Sequence, residues 1–466
     1  MRLDRLASAI PESKLIGDET ADGSADGSAA ASTDVSAVVH AVADVRPGAL
    51  FCCIPGSHFD GHDLARDAAA AGAVALLVER ELPEVHLEQL LVPSSRAAMG
   101  PLAAELQGHP SRLLRVCGVT GTNGKTTTVA FLGAMLEAGG LATVTVGSLS
   151  PRQPGRPPNT PEAPELQALL AGAVRENKAA VAMEVSSIGL AQHRVDGTWF
   201  SVGVFTNLTQ DHLEFHGDME NYFQAKADLF RADRLGAAVI NRDDPAGRRL
   251  IEMLDSAPYP VTIFSVEDGY LPVRLPGRHN QSNAHAALAA AVAVGVDRRT
   301  AVDALRTVST VPGRMQRVEH GQPFAALVDY AHTPDALSRA LEAAREVAGD
   351  GRVLVVFGCG GDRDRAKRPV MGSIAAEMAD LAVLTSDNPR SEDPLTIIEE
   401  VRSSNQALVV EPDRAAAIRL AVARAQAGDV VLVAGKGHET GQEIGDQVVA
   451  FDDIAELEAA IAEVAS

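Results

Sequence analysis

Cysteine is scarce in this chain: four residues in 466, namely Cys52, Cys53, Cys117 and Cys359. They form no CxxC pair and no metal-ligand spacing, so a disulfide scaffold and a thiolate metal site are excluded. They read as small, reduced core residues. Positive charge is also short. Lys and Arg total 41 against 62 Asp and Glu, a formal charge of −21. Such a chain does not work by gripping nucleic acid or an anionic membrane through bulk charge. Long apolar runs are missing too. The longest, near Ala68–Val78 and Ala286–Val296, fall short of the ~18 residues that span a bilayer. The opening MRLDRLASAIPESK has no apolar core of a signal peptide. The expectation is a cytoplasmic protein with no stable membrane association.

What is present fits a globular chain. Hydrophobic residues make up 46% and charged residues 22%. At ~150 residues per domain the length suggests about three domains, because single cores stop growing near ~250–300 residues. Residues 18–34 are acidic and rich in Gly, Ala and Ser, and are expected to form a flexible loop.

The rest alternates short apolar runs with Ala-rich helical stretches. Strands are predicted at Ala49–Ile54 and Ala73–Val78, then at Leu113–Val119, Ala142–Val146, Ala179–Glu184, Val202–Phe205 and Ala237–Ile240. A third set covers Phe324–Asp329, Val353–Phe357, Leu381–Thr385, Ala407–Val410 and Val430–Ala434. This alternation predicts an α/β fold of mainly parallel sheets, with ligands at the C-terminal strand ends. The expected domains are 1–95, 96–311 and 312–466. In order they are a small α/β domain, a central phosphate-loop α/β domain and a Rossmann-like α/β domain.

The sharpest local signal is Gly118-Val-Thr-Gly-Thr-Asn-Gly-Lys125-Thr-Thr-Thr, which follows an apolar strand and opens a helix. Backbone N–H groups and a helix N-terminus can surround a polyphosphate. Lys125 can reach the β- and γ-phosphates and the Thr126 hydroxyl can bind Mg²⁺. The general pattern wants Gly where Val119 stands.

The T-G-T-N-G-K-T-T-T segment resembles the ATP-binding motif of the Mur ligases and the related folylpolyglutamate synthetases. Further motifs follow in family order. They are Met183–Ser187 (MEVSS), Gln192–Val195 (QHRV), Phe205–Leu213 (FTNLTQDHL), Ala225–Phe230 (AKADLF) and Pro312–Met315 (PGRM). Val328–Leu337 (VDYAHTPDAL), Gly358–Asp364 (GCGGDRD), Asp387–Pro394 (DNPRSEDP) and Gly435–Glu439 (GKGHE) complete the series. Such an ordered set is far more specific than any one of its members.

The resemblance implies an ATP-dependent amide-bond ligase of peptidoglycan precursor synthesis. Its substrates would be meso-diaminopimelate and the UDP-muramoyl dipeptide UDP-N-acetylmuramoyl-L-alanyl-D-glutamate, and it would act as a monomer. ATP would meet Gly121, Thr122, Asn123, Gly124, Lys125, Thr126 and Thr127. Asn283 would serve the adenine, Arg314 the phosphates and Asp329 the ribose. Lys125, Glu184, His212 and Lys226 would be the catalytic set. In the family, residues matching Thr126 and Glu184 bind one Mg²⁺. Those matching His212 and Lys226 serve a second, with the lysine carried as a carbamate. Thr160, Ser186, Gln192 and Arg194 match the muramoyl-nucleotide contacts. Arg363, Asp387, Asn388, Arg390, Gly435 and Glu439 match the amino-acid contacts. An Arg at 390 can hold the distal carboxylate of diaminopimelate in a fork, and Glu439 can meet its distal ammonium.

The chain departs from the family where uridine is held. Ala41, Val42 and Ala43 stand where the family usually carries Asp-Ser-Arg. Ile188 replaces a His and Asn159 a Thr. Two alternatives therefore stay open: a ligase of the same chemistry using L-lysine or a non-UDP acceptor, and a nucleotide-binding paralogue without ligase activity.

Overall fold

A computed structural model describes residues 1–17, 33–56, 59–150, 159–403, 405 and 407–465. Of the stretch expected to be a flexible loop, residues 18–32 lie outside the described residues.

Three sheets account for the fold, each a mostly parallel stack of short apolar strands. The first has five strands in the order Lys14–Ile16, Glu88–Leu91, Ala73–Val78, Ala49–Cys52 and Ala37–Val39; only the first pair is antiparallel. The helix Ser95–Leu106, beyond the segment drawn as 1–95, packs Ala98, Met99 and Leu102 into this core.

The second sheet is wholly parallel. Its order is Val261–Phe264, Ala238–Asn241, Val202–Phe205, Arg115–Thr120, Ala180–Glu184 and Thr143–Val146. The third runs Gln316–Val318, Ala325–Asp329, Val430–Ala434, Val353–Phe357, Leu381–Leu384 and Val409–Val410, antiparallel only at its first pair. A hairpin, Gly441–Ile444 with Gln447–Ala450, follows it.

Central strands such as Val353–Phe357 and Val430–Ala434 are buried at every position. Helices cover both faces of such sheets, so no polar alternation is needed. All four cysteines are free and buried. No helix among the described residues is long and apolar enough to cross a membrane.

One buried ion pair ties the C-terminal helix to this fold. Arg414 and Asp453 meet through two contacts of 2.7 Å with both side chains fully buried, and Arg414 Nη2 also donates to the Ala434 carbonyl at 3.0 Å. Removing one partner strands the other charge in the interior. Asp453→Ala is therefore expected to cost about 3 kcal/mol, read as a lowered urea or thermal midpoint, with Asp453→Asn intermediate.

Candidate active site

The phosphate-loop sequence leaves the buried strand Arg115–Thr120 and enters the helix Lys125–Ala138. Gly121 and Gly124 have φ of +149° and +87°. A Cβ at either would strike Thr206 Oγ1 or Asn283 Oδ1, so the loop demands glycine on two counts. Neighbouring side chains pin it. Thr206 Oγ1 donates to the Asn123 carbonyl at 2.7 Å, and Asn207 Oδ1 accepts from Asn123 N at 2.9 Å. Lys125 folds over its own loop, donating to the carbonyls of Gly121 (2.8 Å) and Thr122 (2.9 Å). Burial pushes its pKa down, only partly countered by Glu184 and Asp211.

Glu184 ends its strand fully buried. Its Oε1 accepts from Ser148 N at 2.8 Å and from Thr126 Oγ1 at 3.0 Å. Thr126 Oγ1 also accepts from Arg314 Nη2 at 2.9 Å, which carries the contact across to the segment preceding the third sheet. Arg314 lies over the Tyr330 ring at 4.6 Å. Asp329 accepts from Met315 N at 2.7 Å, and burial raises its pKa. Asn283 donates to Asn280 at 3.3 Å beside the loop. These groups line one cleft of about 170 Å³ between the second and third sheets, with Asp211, His212 and His279. Thr122 and Thr127 are buried; Thr122 Oγ1 meets the Tyr222 hydroxyl at 3.0 Å.

Lys226, on the helix Met219–Ala227, is buried with Nζ 4.5 Å from the centroid of the Tyr222 ring. Burial and the neighbouring Lys125 charge hold its pKa well below the usual lysine value, against the pull of Asp211. His212 adopts φ +55° and stands 3.4 Å from Asp211 and 3.8 Å from Glu214. Burial pushes the Asp211 carboxyl up, but His212, His332 and Lys367 outweigh it and leave the pKa low. The His212 and His216 rings both contact Tyr222.

Among the described residues no three His, Cys, Asp or Glu side chains converge to hold a metal ion by themselves. The expected donor set is of another kind. Thr126 and Glu184 are in direct contact, and Lys226 is aligned on the same tyrosine as His212. The Thr126 and Glu184 oxygens suit Mg²⁺, which takes few protein ligands and keeps phosphate and water as the rest, whereas Lys226 would offer oxygen only as a carbamate and His212 offers a ring nitrogen. Ser148, Asp211 and Tyr222 were not singled out in the sequence. Asp211 sits beside His212 in the same motif and was the one most open to recognition.

On the substrate side, Thr160 Oγ1 donates to the Glu184 carbonyl at 3.1 Å and lies 3.1 Å from Ser186 Oγ. Arg194 reaches the Thr160 carbonyl (3.3 Å) and Gln192 Oε1 (2.6 Å), and pairs with Glu162 at 2.9 Å. Thr160, Ser186, Gln192 and Arg194 thus form one contiguous cluster, balanced by an acid absent from the expected set.

A second cluster stands at the strand ends of the third sheet. Asn388 Oδ1 accepts from Lys436 Nζ at 2.8 Å, and its Nδ2 donates to Glu439 Oε2 at 2.9 Å. Burial raises the Glu439 carboxyl, but Lys436 and Asn388 bring its pKa below the ordinary value. Gly435 (φ +122°) has no room for a Cβ against Asp387. Arg390 pairs with Glu443 at 2.6 Å. Arg363 is exposed, and among the described residues its one hydrogen bond, 3.2 Å to the Asp362 carbonyl, joins it to none of the others.

Residues 35–106 match the Mur ligase family catalytic domain, 119–271 the Mur ligase middle domain, and 313–437 the Mur ligase glutamate ligase domain. The chain is 44% identical to a UDP-N-acetylmuramoyl-L-alanyl-D-glutamate–2,6-diaminopimelate ligase of Streptomyces avermitilis, covering 91% of this chain and 92% of that one. It is 43% identical to the enzyme of the same name from Geobacillus thermodenitrificans, over 90% and 93%. A solved structure bearing that name superposes with a TM-score of 0.67 at 30% identity, covering 97% of this chain and 100% of the other.

Proposed function

The chain belongs to the Mur ligase family, and from that premise we propose that it joins meso-diaminopimelate to UDP-N-acetylmuramoyl-L-alanyl-D-glutamate at the expense of ATP. The observation that carries this reading is the single cleft in which the glycine loop, Glu184, Thr126 and Arg314 meet between two sheets.

A free carboxylate is a poor electrophile and must first be activated. The glutamate γ-carboxylate attacks the γ-phosphorus of ATP, giving an acyl phosphate and ADP. The amine then attacks the acyl carbon, forms the amide and releases phosphate. The first-turn amides of the helix Lys125–Ala138 lack intrahelical acceptors and receive phosphate oxygens. Lys125 swings from its loop carbonyls to those phosphates. Arg314 adds a second cation from across the cleft, where its approach also excludes water. Thr126, Glu184, His212 and Lys226 as a carbamate would hold Mg²⁺, which when bound would supply charge neutralisation for transfer between two anions. Asn283 and Asp329 take the adenine and ribose. Thr160, Ser186, Gln192 and Arg194 hold the muramoyl peptide. Arg363, Asp387, Asn388, Arg390, Gly435 and Glu439 hold the incoming amino acid.

One observation favours a different acceptor on the same chemistry. The turn Val42–Asp44, following Ala41, offers neither a hydroxyl nor an arginine of its own; Arg46 folds back on the Ala43 and Val45 carbonyls instead. The test supplies ATP, Mg²⁺ and the UDP-muramoyl dipeptide with diaminopimelate or L-lysine, and follows phosphate release and product mass. Diaminopimelate-dependent product is expected. No product with either amino acid would sink the reading.

A further inference from the structure

We propose that Glu443 is a positioning residue that fixes the specificity of the amino-acid site by aiming Arg390. The inference rests on the proposed role of Arg390 toward a substrate carboxylate. Arg390 sits at φ +51°, a left-handed conformation that non-glycine residues seldom adopt. Two backbone bonds hold it there: Arg390 N donates to the Glu443 carbonyl at 3.0 Å, and Gly445 N donates to the Arg390 carbonyl at 2.7 Å. The hairpin Gly441–Ile444 and Gln447–Ala450 therefore sets the backbone of the arginine.

The same hairpin sets its side chain. Glu443 Oε2 lies 2.6 Å from Arg390 Nε, and Arg390 Nη1 donates to the Gly361 carbonyl at 2.8 Å. Gly360 lies against the guanidinium, where a Cβ would stand 2.9 Å from Nη1. Two sides of the fork are thus occupied, and Nη2 has no partner among the described residues. A guanidinium is a rigid plane of N–H donors, so the Nη1 hydrogen bond and the Glu443 carboxylate beside Nε together restrain the direction of that plane. Its remaining edge, Nη1 with Nη2, matches a carboxylate. Glu443 is about half exposed on the hairpin, so its loss leaves the core untouched.

The experiment is steady-state kinetics of the full chain with ATP, Mg²⁺, the UDP-muramoyl dipeptide and varied meso-diaminopimelate. Glu443→Ala is expected to raise KM for diaminopimelate about fivefold, the upper scale for a partly exposed ion pair. kcat and KM for ATP should stay near wild type, which a general loss of structure would not allow. Glu443→Gln keeps an oxygen beside Nε without the charge and restores part of the lost KM. An unchanged KM in Glu443→Ala overturns the proposal, as does a lowered one, which would make Glu443 a competitor for Arg390. Failure of Glu443→Gln to improve on Ala overturns it as well. Absence of diaminopimelate product with the wild-type chain overturns the underlying reading and this inference with it.

Discussion

Replacing Lys226 with Ala is expected to lower kcat by roughly 10³-fold, the scale of losing a group that helps neutralise charge at phosphoryl transfer, while KM for ATP should move much less. The lysine is buried over the Tyr222 ring, and its Nζ has no hydrogen-bond partner among the described residues. An unpaired ammonium in that setting is costly, and Lys125 makes it costlier. Both effects favour the neutral amine. A neutral amine can add to CO₂: the N–C bond would form, a proton would leave, and a carbamate with two oxygens and a negative charge would replace the amine. The Ala variant cannot form it. Added acetate is expected to restore part of the activity by filling the same place. Carbon-13 NMR of the wild-type chain in labelled bicarbonate should show a carbamate resonance that Lys226→Ala lacks. Full turnover in the Ala variant removes the carbamate from the mechanism.

The central strands were legible because burial on both faces makes them continuous apolar runs. Val202–Phe205, Val353–Phe357 and Val430–Ala434 occupy the expected residues. Several strands that escaped notice are edge elements with no such signal, and the interior strand Glu88–Leu91 was missed because it opens on the polar pair Glu88-Gln89. Lys14–Ile16 and Gln316–Val318 span three residues each. The hairpin strand Gln447–Ala450 is exposed throughout. Their pairing is decided by neighbours distant in sequence, which local pattern does not record.

The site divides in the same way. Motif residues such as Lys125 and Glu184 could be read directly, but the groups that balance them could not. Five of the expected site residues are cations, Lys125, Arg194, Arg314, Arg363 and Arg390, within a chain of net charge −21. In the fold, Glu162 pairs with Arg194 and Glu443 with Arg390. Arg314 instead turns its charge to a threonine hydroxyl and a tyrosine face, leaving it free to meet an anion. Net charge thus says little about the cleft, because two of these cations face a close acid and Arg314 does not.

Arg390→Ala is expected to lower kcat/KM for meso-diaminopimelate on the order of 10³-fold, the loss that follows when one partner of a buried, hydrogen-bonded charge pair is removed. Two features make the residue hard to replace. Its guanidinium is held between Glu443 and the Gly361 carbonyl, so its free edge has a set direction. A lysine at 390 would bring the charge without the fork, so Arg390→Lys should recover little. L-lysine lacks the distal carboxylate and gains nothing from Arg390, so its rate should change far less and discrimination should collapse in the Ala variant. The measurement is kcat/KM for each amino acid in wild type and both variants, with KM for ATP as the control on folding. Wild-type turnover of L-lysine without diaminopimelate would reverse the assigned role of Arg390. An equal loss for both amino acids would instead make Arg390 a support for the surrounding loop, since only a contact to the distal carboxylate separates the two substrates.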